Sequence, residues 1–212
     1  LPVPVQEAAV VAYGQYVYLL GGRISGAASN RVFVLRLAED GSVAAISEST
    51  SRLPRALLGA SAFVHTGTGV PCVYVVGGAP IPSYGPWEPS KEVYRATIDP
   101  STGALGSWQE QQELPFGLYY AALAVRGDDV YLIGGIAKWG GRLGTIGNIF
   151  HAVVLPSGAL FGWEEVPTAL PGELASRGVA AAQALVYRGQ AGDTIYLIGG
   201  SGSAENDPGA AY

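Results

Sequence analysis

Apolar positions along this chain come in short bursts separated by glycine, proline and polar residues, with no long helical stripe. Four bursts share one phrase: Val17-Tyr18-Leu19-Leu20-Gly21-Gly22, Val73-Tyr74-Val75-Val76-Gly77-Gly78, Val130-Tyr131-Leu132-Ile133-Gly134-Gly135 and Ile195-Tyr196-Leu197-Ile198-Gly199-Gly200. Each is a β-branched and aromatic run stopped by two glycines, the composition of a strand that ends in a tight turn. A run of small apolar residues precedes each: Ala8 to Ala12, Ala60 to Val64, Ala121 to Val125 and Val179 to Val186. After a loop of variable length, a half-alternating run follows as Val32-Phe33-Val34-Leu35, Val93-Tyr94-Arg95-Ala96 and Ile149-Phe150-His151-Ala152. A turn at Gly41, Gly103 or Gly158 then leads to an edge segment. That segment holds Trp108 in the second unit and Trp163 in the third, whereas Val43 to Ile46 in the first has no tryptophan. The pattern predicts an all-β chain with four strands per unit.

A Leu-Pro pair opens every unit, at Leu1-Pro2, Leu53-Pro54, Leu114-Pro115 and Leu170-Pro171, giving periods of 52, 61 and 56 residues. Four strands of about five to six residues fit such a period, and in-phase repetition of this length signals a stacked repeat architecture. The units are 1–52, 53–113, 114–169 and an incomplete 170–212, all within one repeat region.

Leu-Pro, small-residue strand, Tyr-x-x-Gly-Gly, Val-Tyr strand and Gly-x-x-x-x-Trp together resemble the kelch repeat, and the resemblance covers essentially the whole chain. It implies a β-propeller of four-stranded antiparallel blades, strands A to D running outward from the centre. The glycine pair would end strand B, and the strand D tryptophan would pack between neighbouring blades. Two departures stand out. Unit one lacks the tryptophan, and the arginine that many kelch units place after the proline is clear only as Arg55 and Arg177. Counting strands gives three full blades and the first half of a fourth. An open stack leaves two sheet faces uncovered, which closed rings of roughly four to eight blades avoid. The expectation is therefore a fragment of a larger ring of six or seven blades, completed by the remaining blades or by another chain.

Composition narrows the partners. With 49% hydrophobic and 14% charged residues, the chain has material for a core and too little charge for disorder. A net charge of -5, with the 12 basic residues scattered, argues against a nucleic-acid partner. The single Cys72 excludes an intrachain disulfide and any multi-cysteine metal site, and reads as a small buried hydrophobe. No apolar run approaches the roughly 18 residues of a membrane helix, so no membrane insertion is expected. Low lysine content with abundant glycine and tyrosine fits a secreted or cell-surface protein better than a cytosolic one.

In such a blade, the B–C loops and the D–A connections open on one face, where loops on a rigid scaffold carry variable chemistry. The B–C loops offer Arg23, Tyr84, Trp87, Lys138, Trp139, Arg142 and Asn148. The D–A connections offer Arg55, Tyr119 and Arg177, with Gln6, Glu7 and Tyr120 beside them. Aromatic faces with arginine and asparagine suit sugar rings. They suit protein partners equally, since Trp, Tyr and Arg dominate interface hot spots. The competing reading has Trp87 and Trp139 pinning their own loops and Arg55 and Arg177 bracing neighbours.

Catalytic clusters are not legible. His65 and His151 fall in different units, which argues for structural roles over metal ligation. The pairs Asp128-Asp129 and Glu164-Glu165 read as solvated, the first in an A–B turn on the face opposite the loops. The copper site of galactose oxidases and the iron site of specifier proteins cannot be placed on these residues. Gly140-Gly141-Arg142 lacks the Lys-Ser/Thr and helix of a phosphate loop. No metal or cofactor is expected. The first reading is a non-catalytic scaffold that recognises a protein or glycan through its loop face. The second is part of a carbohydrate-active kelch enzyme, of sugar oxidase or sialic-acid isomerase type, whose catalytic residues lie mostly outside this segment.

Overall fold

Period-two alternation and glycine stops produce the same meander three times over. A computed structural model describes residues 1–80, 87–167, 170–190 and 192–202. Sheet I contains β1 (Ala9–Tyr13), β2 (Tyr16–Leu20), β5 (Val32–Leu37) and β6 (Val43–Glu48); a short hairpin of β3 (Arg23–Ile24) and β4 (Ala27–Ala28) sits in the loop between β2 and β5. Sheet II contains β7 (Ser61–His65), β8 (Cys72–Val76), β9 (Val93–Thr97) and β10 (Gln109–Glu110). Sheet III contains β11 (Ala122–Arg126), β12 (Asp129–Ile133), β15 (Ile149–Val154) and β16 (Leu160–Glu165), with a second loop hairpin of β13 (Ile136–Trp139) and β14 (Arg142–Thr145). The fourth unit is the antiparallel pair β17 (Ala180–Gly189) and β18 (Gly192–Ser201). All pairings are antiparallel, and each full sheet follows chain order from its first strand to its last.

The two sides of each sheet do different jobs. Tyr18 and Leu20 on one side of sheet I pack with Val73 and Val75 of sheet II. Tyr74 and Val76, on the other side of sheet II, pack with Val130 and Leu132 of sheet III. Ile133 and Tyr131 then meet Ile195 and Leu197 of the last hairpin. Sheet faces thus join consecutively, and each fully buried large side chain contributes roughly 1.5–3 kcal/mol. The edge tryptophans fill the same layers: Trp108 packs against the core shared by sheets I and II, and Trp163 is buried in the core shared by II and III. Cys72 is buried in β8 as a small apolar filler.

Two sets of polar bonds repeat at all three junctions, and a third at the first two. The second glycine of each pair donates its N–H to a carbonyl of the next unit: Gly22 to Leu57 at 2.8 Å, Gly78 to Leu118 at 2.8 Å and Gly135 to Val179 at 2.7 Å. The first glycine lies so close to that carbonyl that a Cβ would sit 2.4 Å from it at Gly21, 2.4 Å at Gly77 and 2.2 Å at Gly134. No side chain fits, which explains the double glycine better than a turn requirement does. Two residues after each accepting carbonyl stands a residue with left-handed φ: Gly59 (59°), Tyr120 (54°) and Ala181 (57°), matched in unit one by Glu7 (59°). These four form a backbone ladder. Gly59 N–H donates to Glu7 C=O at 2.9 Å, Tyr120 to Gly59 at 2.7 Å, and Ala181 to Tyr120 at 2.9 Å. Tyrosine clasps complete the junctions. The Tyr18 hydroxyl donates to Gly103 C=O at 3.0 Å, and Tyr74 to Gly158 C=O at 2.7 Å.

The fourth unit departs from the others in two ways. Its strands run ten residues each, against five or six for most others. Its opening link is longer, since Val179 follows Leu170 by nine residues where Leu57 follows Leu53 by four. The extra residues wind into α1 (Leu174–Arg177), a single turn closed by Gly178.

Candidate functional site

The link before β1 places Glu7 on the ladder, and the turn after Gly22 places Arg23 beside it; backbone bonds between Gln6 and Arg23, 2.6 and 3.1 Å long, lock the two segments together. Arg23 Nη2 lies 3.2 Å from Glu7 Oε2. The guanidinium carbon lies 5.7 Å from the Trp87 ring centre, within cation–π range. Trp87 in turn meets Tyr119 at 5.5 Å between ring centres, and Tyr119 meets Tyr120 at 4.9 Å. Tyr120 reaches back over Gly59, where a Cβ would fall 2.7 Å from its ring, and its side chain faces Glu7. Glu7, Arg23, Trp87, Tyr119 and Tyr120 therefore form a closed circuit that joins the loops of three units on one face.

Its electrostatics are set by burial and by the Glu7 charge. Burial, then the Glu7 charge, pushes Tyr119 up to about 12. Burial and the hydrogen bond to Glu7 push Tyr120 higher still. Both hydroxyls stay protonated at neutral pH, and that of Tyr120 donates to Glu7. Arg23 Nε is buried and has no hydrogen-bond partner among the described residues. The arrangement can offer a carboxylate, a guanidinium, two hydroxyls and an indole face to one ligand. Nearby, Lys138 on β13 pairs with Glu88, linking the second and third B–C loops.

The remaining expected residues lie apart from this circuit. Trp139 is half exposed and packs against Phe116 at 5.6 Å, at the tip of the β13–β14 hairpin opposite Arg142. Arg55 pairs with Glu92 at 2.7 Å and Arg177 with Glu173 at 3.1 Å, so both brace local structure. Asn148 donates to Glu165 at 2.7 Å, and Glu165 stays exposed to solvent as expected. These two line an open cleft of about 330 Å³ with Gly147, Ile149, Val166, Pro167 and Ala175. Tyr84 lies outside the described residues. Glu88 and Phe116 escaped the sequence reading. Adjacency to Trp87 and Tyr119 in the same loops was the available signal.

On the opposite face, the Asp128-Asp129 turn binds both histidines. His65 Nε2 lies 2.8 Å from Asp128 Oδ1, and His151 Nε2 lies 2.7 Å from Asp129 Oδ1. The first pair spans sheets II and III while Asp128 itself stays largely exposed, and the second lies within sheet III. Among the described residues, no group of three or more His, Cys, Asp or Glu side chains could hold a metal ion, and no helix is long and apolar enough to cross a membrane.

No family model matches the chain, and no curated protein matches it. Solved structures do: 181 chains are similar. One of them, described as the structure of YjhT, is 21% identical with a TM-score of 0.61; the match covers 86% of this chain and 56% of that one. The chain thus spans little more than half the length of that neighbour. At such identity the likeness speaks for the fold alone.

Proposed function

We propose that this chain is a kelch-type propeller segment, of three blades and half of a fourth, that recognises a protein or glycan through its loop face. The observation carrying the reading is the circuit of Glu7, Arg23, Trp87, Tyr119 and Tyr120. Residues from three units of the chain converge there on one rim, with aromatic faces and spare hydrogen-bonding capacity. Consecutive face-to-face stacking of sheets by one repeated bond set supports the propeller assignment. So does the likeness of fold to a longer chain.

Screening against immobilised glycans and displayed peptides tests the reading. A ligand of the loop face should lose affinity on Trp87→Ala by roughly thirtyfold, the scale of an interface hot spot. Trp139→Ala should add to the loss. Undiminished affinity in the double variant assigns binding to another surface.

A further inference from the structure

Repeated units hold their residues in register, so one unit shows what the same corner of another lacks. Where sheet I ends, Glu48 stands cross-strand from Phe33 and is held by two guanidinium groups. Arg31 Nη2 lies 2.5 Å from one carboxylate oxygen, and Arg52 Nη2 lies 2.8 Å from the other. Sheet III repeats the register of that corner, with Glu165 cross-strand from Phe150. Asn148 precedes Ile149 as Arg31 precedes Val32, and Ala169 precedes Leu170 as Arg52 precedes Leu53. Neither arginine thus has a counterpart in unit three, while the carboxylate stays. Glu165 forms no ion pair among the described residues, which include all 12 basic side chains of the chain. Asn148 gives it one hydrogen bond, to Oε1, so Glu165 Oε2 and Asn148 Oδ1 keep acceptor capacity.

The cleft of about 330 Å³ opens beside this pair. Ile149, Val166, Pro167 and Ala175 line it with apolar surface. The link that carries α1 comes close because position 147 is glycine, where a Cβ would fall 2.5 Å from the Leu174 carbonyl oxygen. An adjoining unit does not close such a corner. Unit one is followed by a complete unit, yet its Arg52 side chain remains 54% exposed and Glu48 27%.

We infer that this cleft binds the guanidinium of an arginine side chain presented by a protein partner. Glu165 receives the planar fork of N–H donors, as Glu48 receives Arg31 within the chain. The methylene stem of the incoming arginine lies along the apolar lining. Charge favours such a partner, since the chain carries a net -5 and no basic residue lines the cleft. The same lack disfavours free arginine, whose α-carboxylate would meet no cation there. The inference does not depend on what the aromatic circuit binds.

Titrating the isotope-labelled full chain with the blocked tripeptide acetyl-Gly-Arg-Gly-amide, followed by nuclear magnetic resonance, tests this. The Asn148 side-chain amide and the Ile149 and Ala175 backbone amides should shift and saturate. The citrulline tripeptide keeps the shape without the charge and should leave them in place. The lysine tripeptide offers a charge without the fork and should bind several-fold more weakly. Glu165→Gln should weaken arginine binding roughly tenfold. Asn148→Arg should abolish it by supplying the guanidinium of unit one, with an unchanged circular dichroism spectrum. Trp87→Ala should leave it at wild-type strength, which separates this cleft from the loop-face reading. Absence of shifts at the cleft overturns the inference. So does citrulline or lysine binding as tightly as arginine, free arginine binding more tightly than the tripeptide, or Glu165→Gln binding at wild-type strength.

Discussion

Single residues are understood here by what surrounds them, and Glu7 is the clearest case. A glutamate at left-handed φ on a backbone ladder is uncommon and bears some strain. Its carboxylate faces Arg23 and Tyr120, and its charge helps hold both tyrosines in the neutral form. Glu7→Gln removes that charge while keeping the shape. Tyr119 and Tyr120 should then ionise at lower pH than in wild type, yet above the ordinary 10.0, because burial is the larger cause and remains. Ultraviolet titration of tyrosinate measures the shift; an unchanged curve would detach Glu7 from the circuit. The same physics governs alkaline stability. Tyr74, Tyr94 and Tyr119 are pushed up to about 12, mainly by burial. The unfolded chain releases these protons near 10, whereas the folded one keeps them. Stability should therefore hold below about pH 10 and fall as pH rises toward 12.

At the scale of elements, the double glycines decide how closely one unit can approach the next. Gly134 and Gly26 both have positive φ, so alanine strains either backbone by roughly 1–2 kcal/mol. Only Gly134 also faces a carbonyl, 2.2 Å from where a Cβ would stand; Gly26 has open space. Gly134→Ala should thus cost more than about 4 kcal/mol, the range that marks a broken contact, and Gly26→Ala no more than its backbone strain. Denaturant titration of the two variants separates the effects, and equal costs would reduce the glycine pair to a turn device. The strands were legible in the sequence because short β-branched and aromatic runs stopped by glycine are local features of the chain. The packing of Trp108 and Trp163 between sheets was what the kelch resemblance implied. The β3–β4 and β13–β14 hairpins and α1 were not legible, since glycine-rich loops fix no period. Of the site, the loop face and its aromatics could be read along the chain. The closing of Glu7 onto Arg23 and Tyr120 could not. It depends on Gly59 vacating space for a ring 61 residues later, a contact that no pattern along the chain encodes. The pairing of Asp128 and Asp129 with histidines was hidden similarly, because it joins neighbouring strands and sheets.

Across the whole molecule, each sheet contacts only its neighbours, so stability is a sum of unit terms and junction terms. Sheet II has a junction on both sides, and every residue of β8 is buried. The β17–β18 pair has one junction, and its outer side faces solvent. Opening should therefore begin at the ends and reach β8 last. Native-state hydrogen exchange should show the slowest amides in β8 and much faster ones in β17 and β18. Uniform protection along the chain would mean that the sheets unfold as one block.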